Sequence, residues 1–147
     1  MRVAVASDHA GYLLKQALAT HLADAGYAVY DLGAHDQEQV DYPDIAAAAS
    51  RAVVDGRAER AVIVCGSGAG ACVAANKIKG IRAVIAHDTY TAHQAVEHDD
   101  VNVLCLGSRV IGEALAVELV DTFVNARFGN EERHRRRVEK VKALDEA

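Results

Sequence analysis

Tryptophan is absent, proline occurs once, and only two phenylalanines and three cysteines are found in 147 residues. Three thiols, an odd number in unrelated settings, make no disulfide framework, so a reducing compartment and a cytoplasmic protein are expected. No apolar run reaches the ~18 residues that a membrane-spanning helix needs. The opening MRVAVASDHAG has too little apolar length for a signal peptide and flows directly into a strand–loop–helix pattern. Basic charge is in deficit as well. Sixteen Lys and Arg stand against 21 Asp and Glu, for a formal net charge of −5. That balance argues against general binding to nucleic acid or an anionic membrane surface, because affinity for a phosphate backbone is carried by basic surface. Any anion site is therefore local. There is also no internal repeat and no low-complexity linker, so residues 1–147 are read as one domain.

What is present is an ordinary globular composition, 51% hydrophobic and 25% charged, arranged in alternating strand and helix patterns. Arg2 to Ala6 read as a strand, SDHAG as a loop, and Tyr12 to Ala25 as a helix stopped by Gly26. Tyr27 to Leu32 form a second strand, and Pro43 suits the first turn of an alanine-rich helix that runs on through Ile45 to Val54. The segment Ala61 to Lys77, AVIVCGSGAGACVAANK, reads as a buried strand, a thiol, a glycine loop and a helix. Ile81 to Ala86 make a fourth strand, followed by a helix capped by Asp88 or Thr89 and ending near His98. Val101 to Leu106 make a fifth. A long amphipathic helix from about Val110 to Ala126, a break at Gly129 and Asn130, and a charged helix from Glu131 complete the chain. Five strands alternating with helices imply a parallel sheet covered on both faces, since parallel neighbours need crossovers. The loops after Ala6, Leu32, Val64, Ala86 and Cys105 then open at one edge, where ligands bind in such sheets.

Chemistry-bearing residues collect in those loops. Asp8 either caps the next helix or faces a ligand, and His9 can donate to a phosphate or sugar oxygen. Cys65 ends its strand before GSGAG, where helix-end N–H groups favour a thiolate that acts as base or nucleophile. Cys72 and Cys105 are assigned to the core as small buried hydrophobes. GSGAG fits neither the dinucleotide fingerprint nor the P-loop lysine pattern, but it presents N–H groups to an oxyanion, and Ser67 adds a hydroxyl. His87 and His98 are both candidate general acids, His98 at a helix end that supports its protonated form. Arg133 and Arg137, four apart, share a helix face as a phosphate clamp. Thiolate, imidazole, oxyanion loop and arginines together suggest proton transfer beside a carbonyl on a phosphorylated substrate.

The segments SDHAG, DYPD, CGSGAG with AANK, GIRAV, EHDDVNVLCLGSR and ERHRRRVE, in this order and spacing, resemble the type B ribose-5-phosphate isomerases and the related isomerases of allose or galactose 6-phosphate. The resemblance covers nearly the whole chain. It implies a Rossmann-like three-layer αβα sandwich with a five-stranded parallel sheet and a C-terminal helix used in dimerisation. It implies interconversion of D-ribose 5-phosphate and D-ribulose 5-phosphate through an enediolate. The alternatives are a hexose 6-phosphate isomerase and, in another class, a non-catalytic sugar-phosphate or nucleotide sensor. By resemblance Cys65 is the base, the loop Gly66, Ser67, Gly68, Ala69 and Gly70 stabilises the enediolate, and His98 opens the furanose ring. Asp8 and His9 contact the sugar and phosphate, and Arg109, Arg133 and Arg137 bind the phosphate. No metal or organic cofactor is implied. The expected assembly is a homodimer or a dimer of dimers with active sites shared between subunits. One departure stands out: the family commonly carries Asn after the ring-opening His, and here Asp99 occupies that position. An ionised carboxylate only accepts hydrogen bonds, so the contact there differs.

Overall fold

The computed structural model describes residues 1–147 as one five-stranded, all-parallel sheet in the order β2-β1-β3-β5-β4. In chain order the elements are β1 (Arg2–Ser7), α1 (Tyr12–Asp24), β2 (Ala28–Asp31), α2 (Tyr42–Val54), β3 (Arg60–Cys65) and α3 (Ala69–Ala75). They continue with β4 (Ala83–Ile85), α4 (Thr89–Asp99), β5 (Val103–Gly107), α5 (Glu113–Asn125), α6 (Glu132–Ala143) and a terminal 3₁₀ turn, Leu144–Glu146. The expected Rossmann-like α/β architecture is thus present.

The alternation of side chains along each strand sorts the core into two layers. Val3 and Val5 of β1, Val62 and Val64 of β3, and Leu104 and Leu106 of β5 face one side, where Leu18 and Leu22 of α1, Val96 of α4, and Leu119 and Phe123 of α5 pack on them. Ala4, Ala6, Ile63, Cys65, Val103 and Cys105 face the other, against Ala46 and Ala49 of α2 and Ala71 and Ala75 of α3. The second layer is built largely from alanine. Short side chains on both sides let α2 and α3 lie close to the sheet, while the bulkier first layer carries most of the apolar area.

Two polar devices close the structure. Lys15, only 1% exposed, places its ammonium 2.8 Å from both carboxylate oxygens of Asp31 and 2.7 Å from the carbonyl of Ala34, tying α1 to the end of β2 and the loop beyond it. At the opposite edge of the sheet, Asn76 acts as a substitute strand: its Oδ1 accepts from Ala83 N–H at 2.8 Å and its Nδ2 donates to Ala83 O at 3.0 Å. An edge strand satisfied by a side chain offers less to a passing chain.

Several boundaries shift from the sequence expectation, and two of the shifts have plain hydrogen-bonding reasons. β4 is shorter than Ile81 to Ala86, because Ile81 N–H closes a turn onto Ile78 O and Arg82 N–H bonds the side chain of Asn102. α5 starts at Glu113 rather than near Val110, because the N–H groups of Val110 and Ile111 both turn back onto Gly107 O. That extra turn carries Arg109.

Candidate active site

The connections after β1 and after β3 leave in opposite directions from the junction between β1 and β3, the point where chain order reverses across the sheet. Loops that part there leave a crevice at the carboxyl edge. In this protein it has a volume of about 290 Å³ and is lined by Asp8, Tyr42, Cys65, Gly66, Ser67, Gly70, Arg109 and Val110.

Close backbone approach explains why glycines frame it. A Cβ on Gly11 would stand 2.3 Å from Val64 O, and one on Gly107 would stand 2.6 Å from Ser67 O. The loop after β1 and the loop after β3 are thus each pressed against a neighbouring strand end. Asp8, 9% exposed, accepts from Gly11 N–H at 3.1 Å and still lines the crevice. The two roles posed for it from sequence, cap and ligand contact, are not exclusive.

Cys65 is 5% exposed at the end of β3, and its sulfur accepts a hydrogen bond from Gly68 N–H at 3.2 Å. Gly68 reaches that position with a φ of +85°, in the left-handed region that favours glycine. The sulfur is therefore a hydrogen-bond acceptor inside a glycine turn. Ser67 is exposed, its hydroxyl accepting from Ala69 N–H at 3.2 Å. Arg109 lies over Gly66: its Nη1 is 3.3 Å from where a Cβ on that glycine would be, and its own N–H bonds Gly66 O at 3.0 Å. A carboxylate, a thiol and a guanidinium thus converge on one small volume.

Sequence reasoning missed Tyr42. It opens α2 and its ring lies against Gly70, so close that a Cβ there would meet the ring at 2.6 Å. The available signal was the position of an aromatic at the first turn of a helix following a strand and loop, the same edge as Cys65.

The histidines divide. His9 is half-buried beside the crevice, and Val40 N–H donates to its Nδ1 at 3.3 Å, so a neutral ring carries its proton on Nε2. His87, a candidate acid from sequence, is engaged structurally: Gly107 N–H donates to its Nε2 at 3.0 Å, which steadies the residue paired in register with Cys65.

His98 lies elsewhere. It ends α4, which returns antiparallel to the strands and so finishes at the amino edge of the sheet, away from Cys65 of the same chain. Asp100, two residues on, is held there by Arg82 at the start of β4, whose Nε donates to Asp100 O at 2.8 Å. Asp99 and α6 share that end, since Gly129 N–H, just before α6, bonds Glu97 O at 2.9 Å. Arg133 pairs with Glu131 at 3.3 Å and Arg137 is exposed. Within one chain, His98, Asp99, Arg133 and Arg137 form one group, and Cys65, Asp8, Ser67 and Arg109 another.

In the first of these groups, His98 stacks on His134 with ring centroids 4.1 Å apart and 22° between planes, while its Nδ1 pairs with the Gln94 side-chain amide at 2.9 Å. His134 is 5% exposed and its Nδ1 has no partner. Burial first, and then the neighbouring His98 and Arg133, lower its pKa from the ordinary 6.5.

These features define a Rossmann-like α/β domain with a crevice at the carboxyl edge of its sheet into which a cysteine, an aspartate and an arginine converge. The chain belongs to the ribose/galactose isomerase family, whose model matches residues 3–141. It is 39% identical over 145 residues to ribose-5-phosphate isomerase B of Escherichia coli K12, covering 99% of this chain and 97% of that protein. It is 40% identical over 131 residues to D-erythrulose-4-phosphate isomerase 2 of Mycolicibacterium smegmatis, covering 87% and 86%. Among solved structures, ribose-5-phosphate isomerase B of Clostridium thermocellum superposes with a TM-score of 0.96 at 42% identity over 99% of this chain and 98% of that one.

The lowered pKa of His134 has a stability consequence. A histidine harder to protonate in the folded state than in the unfolded one leaves stability intact above the unfolded value and removes it progressively as pH falls from there toward the folded value. Urea unfolding is therefore expected to show stability declining below about pH 6.5. His134→Phe, which keeps a stacking ring without the titration, is expected to flatten that decline.

Proposed function

We propose that this protein is an aldose–ketose isomerase that interconverts D-ribose 5-phosphate and D-ribulose 5-phosphate through an enediolate. The observation that carries the reading is the Cys65 sulfur, seated as a hydrogen-bond acceptor of Gly68 N–H in a crevice that also holds Asp8 and Arg109. After ring opening, Cys65 as thiolate takes the proton from C2 of the open-chain aldose. The electron pair forms the C1–C2 double bond, and charge develops on O1. Loop N–H groups other than those of Gly68 and Ala69, which are held by Cys65 and Ser67, act with the Ser67 hydroxyl on that charge, stabilising it more than they stabilise the neutral carbonyl. The O2 hydroxyl proton passes to O1, the thiol returns its proton to C1, and O2 becomes the ketose carbonyl. Oxidation at one carbon is balanced by reduction at its neighbour, and the steps are proton transfers that call for no metal or cofactor.

Ring opening requires a proton to reach the furanose oxygen. His98 suits that role, with Nδ1 engaged by Gln94 and Nε2 left to exchange a proton. Its place at the amino edge supports a role in the crevice of a second copy. A homodimer in which His98, Asp99, Arg133 and Arg137 of one subunit complete the crevice of the other accounts for phosphate-binding arginines on α6, and His9 and Arg109 supply the same anion from within the chain. Isologous contacts of this kind are the commonest form of oligomer. No helix is long and apolar enough to cross a membrane, in keeping with a cytoplasmic enzyme.

The second reading keeps the chemistry and changes the sugar. Hexose 6-phosphates remain the alternative because Asp99 alters one substrate contact, and the relative named for D-erythrulose 4-phosphate adds a four-carbon ketose to the comparison. Initial rates on ribose 5-phosphate, allose 6-phosphate, galactose 6-phosphate and erythrulose 4-phosphate are expected to be highest for the pentose; a higher kcat/KM on another sugar reassigns the substrate. Binding of all four without turnover would instead indicate a sensor.

Cys65→Ala is expected to abolish both isomerisation and exchange of the C2 proton with solvent while sugar-phosphate binding persists. Undiminished turnover in that variant removes Cys65 as the base. Shared sites are tested by mixing two inactive variants, Cys65→Ala and His98→Asn, under conditions that exchange subunits. In an equimolar mixture half of the dimers pair one variant with the other, and each of these carries one intact site of two, so roughly a quarter of wild-type activity is expected to return. No recovery, with exchange verified, places both residues in the site of a single chain.

A further inference from the structure

α4 and α6 meet at the amino edge through two imidazole rings, and the mechanism above uses only one of them. His134 lays its ring on that of His98, with centroids 4.1 Å apart and planes 22° from parallel. His134 is 5% exposed, whereas His98 is half-buried. The side-chain amide of Gln94, one turn earlier on α4, bonds the Nδ1 of His98 at 2.9 Å. His98 is thus held at its edge by Gln94 and on its face by His134. Nε2 is the nitrogen left free.

The two rings differ in their capacity to carry charge. An imidazolium stacked on a neutral ring is attracted by its electron cloud, whereas two imidazoliums at this separation repel. Protonating His134 would also bury an unpaired N–H, since its Nδ1 has no partner. Burial first, and then His98, Arg133 and Arg137, hold its pKa below the ordinary 6.5, against the pull of Glu131. The other charges on the elements packed there are engaged or exposed. Glu131 pairs with Arg133, Glu97 of α4 pairs with His93, and Asp99 is exposed. On the terminal turn, Asp145 accepts from Gly80 N–H and Glu146 pairs with Lys79.

We propose that His134 is a positioning residue for opening of the furanose ring: a buried, neutral stacking partner that fixes the plane of the His98 imidazole and leaves the charge of the pair on His98. The inference rests on the assignment of ring opening to His98. In that step the C1–O4 bond breaks, O4 takes the proton from His98 Nε2, and the O1 proton passes to water as the C1 aldehyde forms. His134 touches no reacting atom. It acts by orienting the donor, and a misplaced donor loses rate steeply.

The test separates ring opening from enediolate chemistry. Ribulose 5-phosphate has no furanose form, because its C5 oxygen carries the phosphate, so exchange of its C1 proton in deuterium oxide needs Cys65 but no ring opening. The ratio of kcat on ribose 5-phosphate to that exchange rate therefore reports the His98 step. His134→Leu, which fills the site without an aromatic ring, is expected to lower the ratio roughly tenfold with KM little changed. His134→Phe is expected to recover most of it. An unchanged ratio in His134→Leu, an equal loss of both reactions, or a change confined to KM overturns the proposal. Should the leucine variant fail to fold, ring-nitrogen NMR of the native protein decides: at pH 6.5 His134 is expected to be mostly neutral, and an imidazolium there overturns its role. Wild-type protein inactive in both reactions overturns the isomerase reading itself, a result distinct from any effect at position 134.

Discussion

Parallel strands can be joined only by crossovers, and each crossover helix must run back against the strands it connects. That constraint governs everything else in this protein. It sends every strand end, with Asp8, Cys65 and Arg109, to one edge of the sheet, and it sends the last turn of α4, with His98, to the other. The separation is a property of the winding and not of any particular contact. A reaction that needs both groups therefore needs two chains, which is why the proposed isomerase is also a proposed dimer.

Within the carboxyl edge, the shape of the crevice follows from missing side chains as much as from present ones. Gly11 and Gly107 allow a loop and a strand end to touch backbone to backbone, and Gly70 makes room for the ring of Tyr42. The polar groups nearby serve structure and site together. Asp8 closes a turn while lining the crevice, and the Val40 amide that bonds His9 also selects its tautomer. His87 shows the opposite outcome, its acceptor nitrogen taken by the backbone of Gly107. An active-site edge built this way is held in place before substrate arrives, which is the condition under which fixed dipoles favour a transition state.

The alanine-rich layer of the core has a second consequence. Small residues bring α3 close to the sheet, so the helix that opens from the Gly66 to Gly70 loop is seated directly on the layer that contains Ile63, Cys65 and Cys105. The bulkier layer on the opposite face, with Leu104, Leu106, Leu119 and Phe123, supplies the compensating apolar burial.

The sequence by itself determined the strand and helix order, the all-parallel sheet, the edge at which Cys65 and Asp8 meet, and the resemblance to an isomerase family. These are carried by local periodicity, turn residues and ordered motifs, which depend on neighbours in the chain. Tertiary structure alone decided what depends on residues far apart. It set Tyr42 against Gly70, spent His87 on Gly107, stacked His98 on His134 and put that pair at the far end of the sheet. It also left Cys72 half-buried, where the sequence reading had it enclosed in the core, while enclosing Cys105. Spacing along a chain says on which face of an element a residue lies. Only the packing of elements says what that face meets.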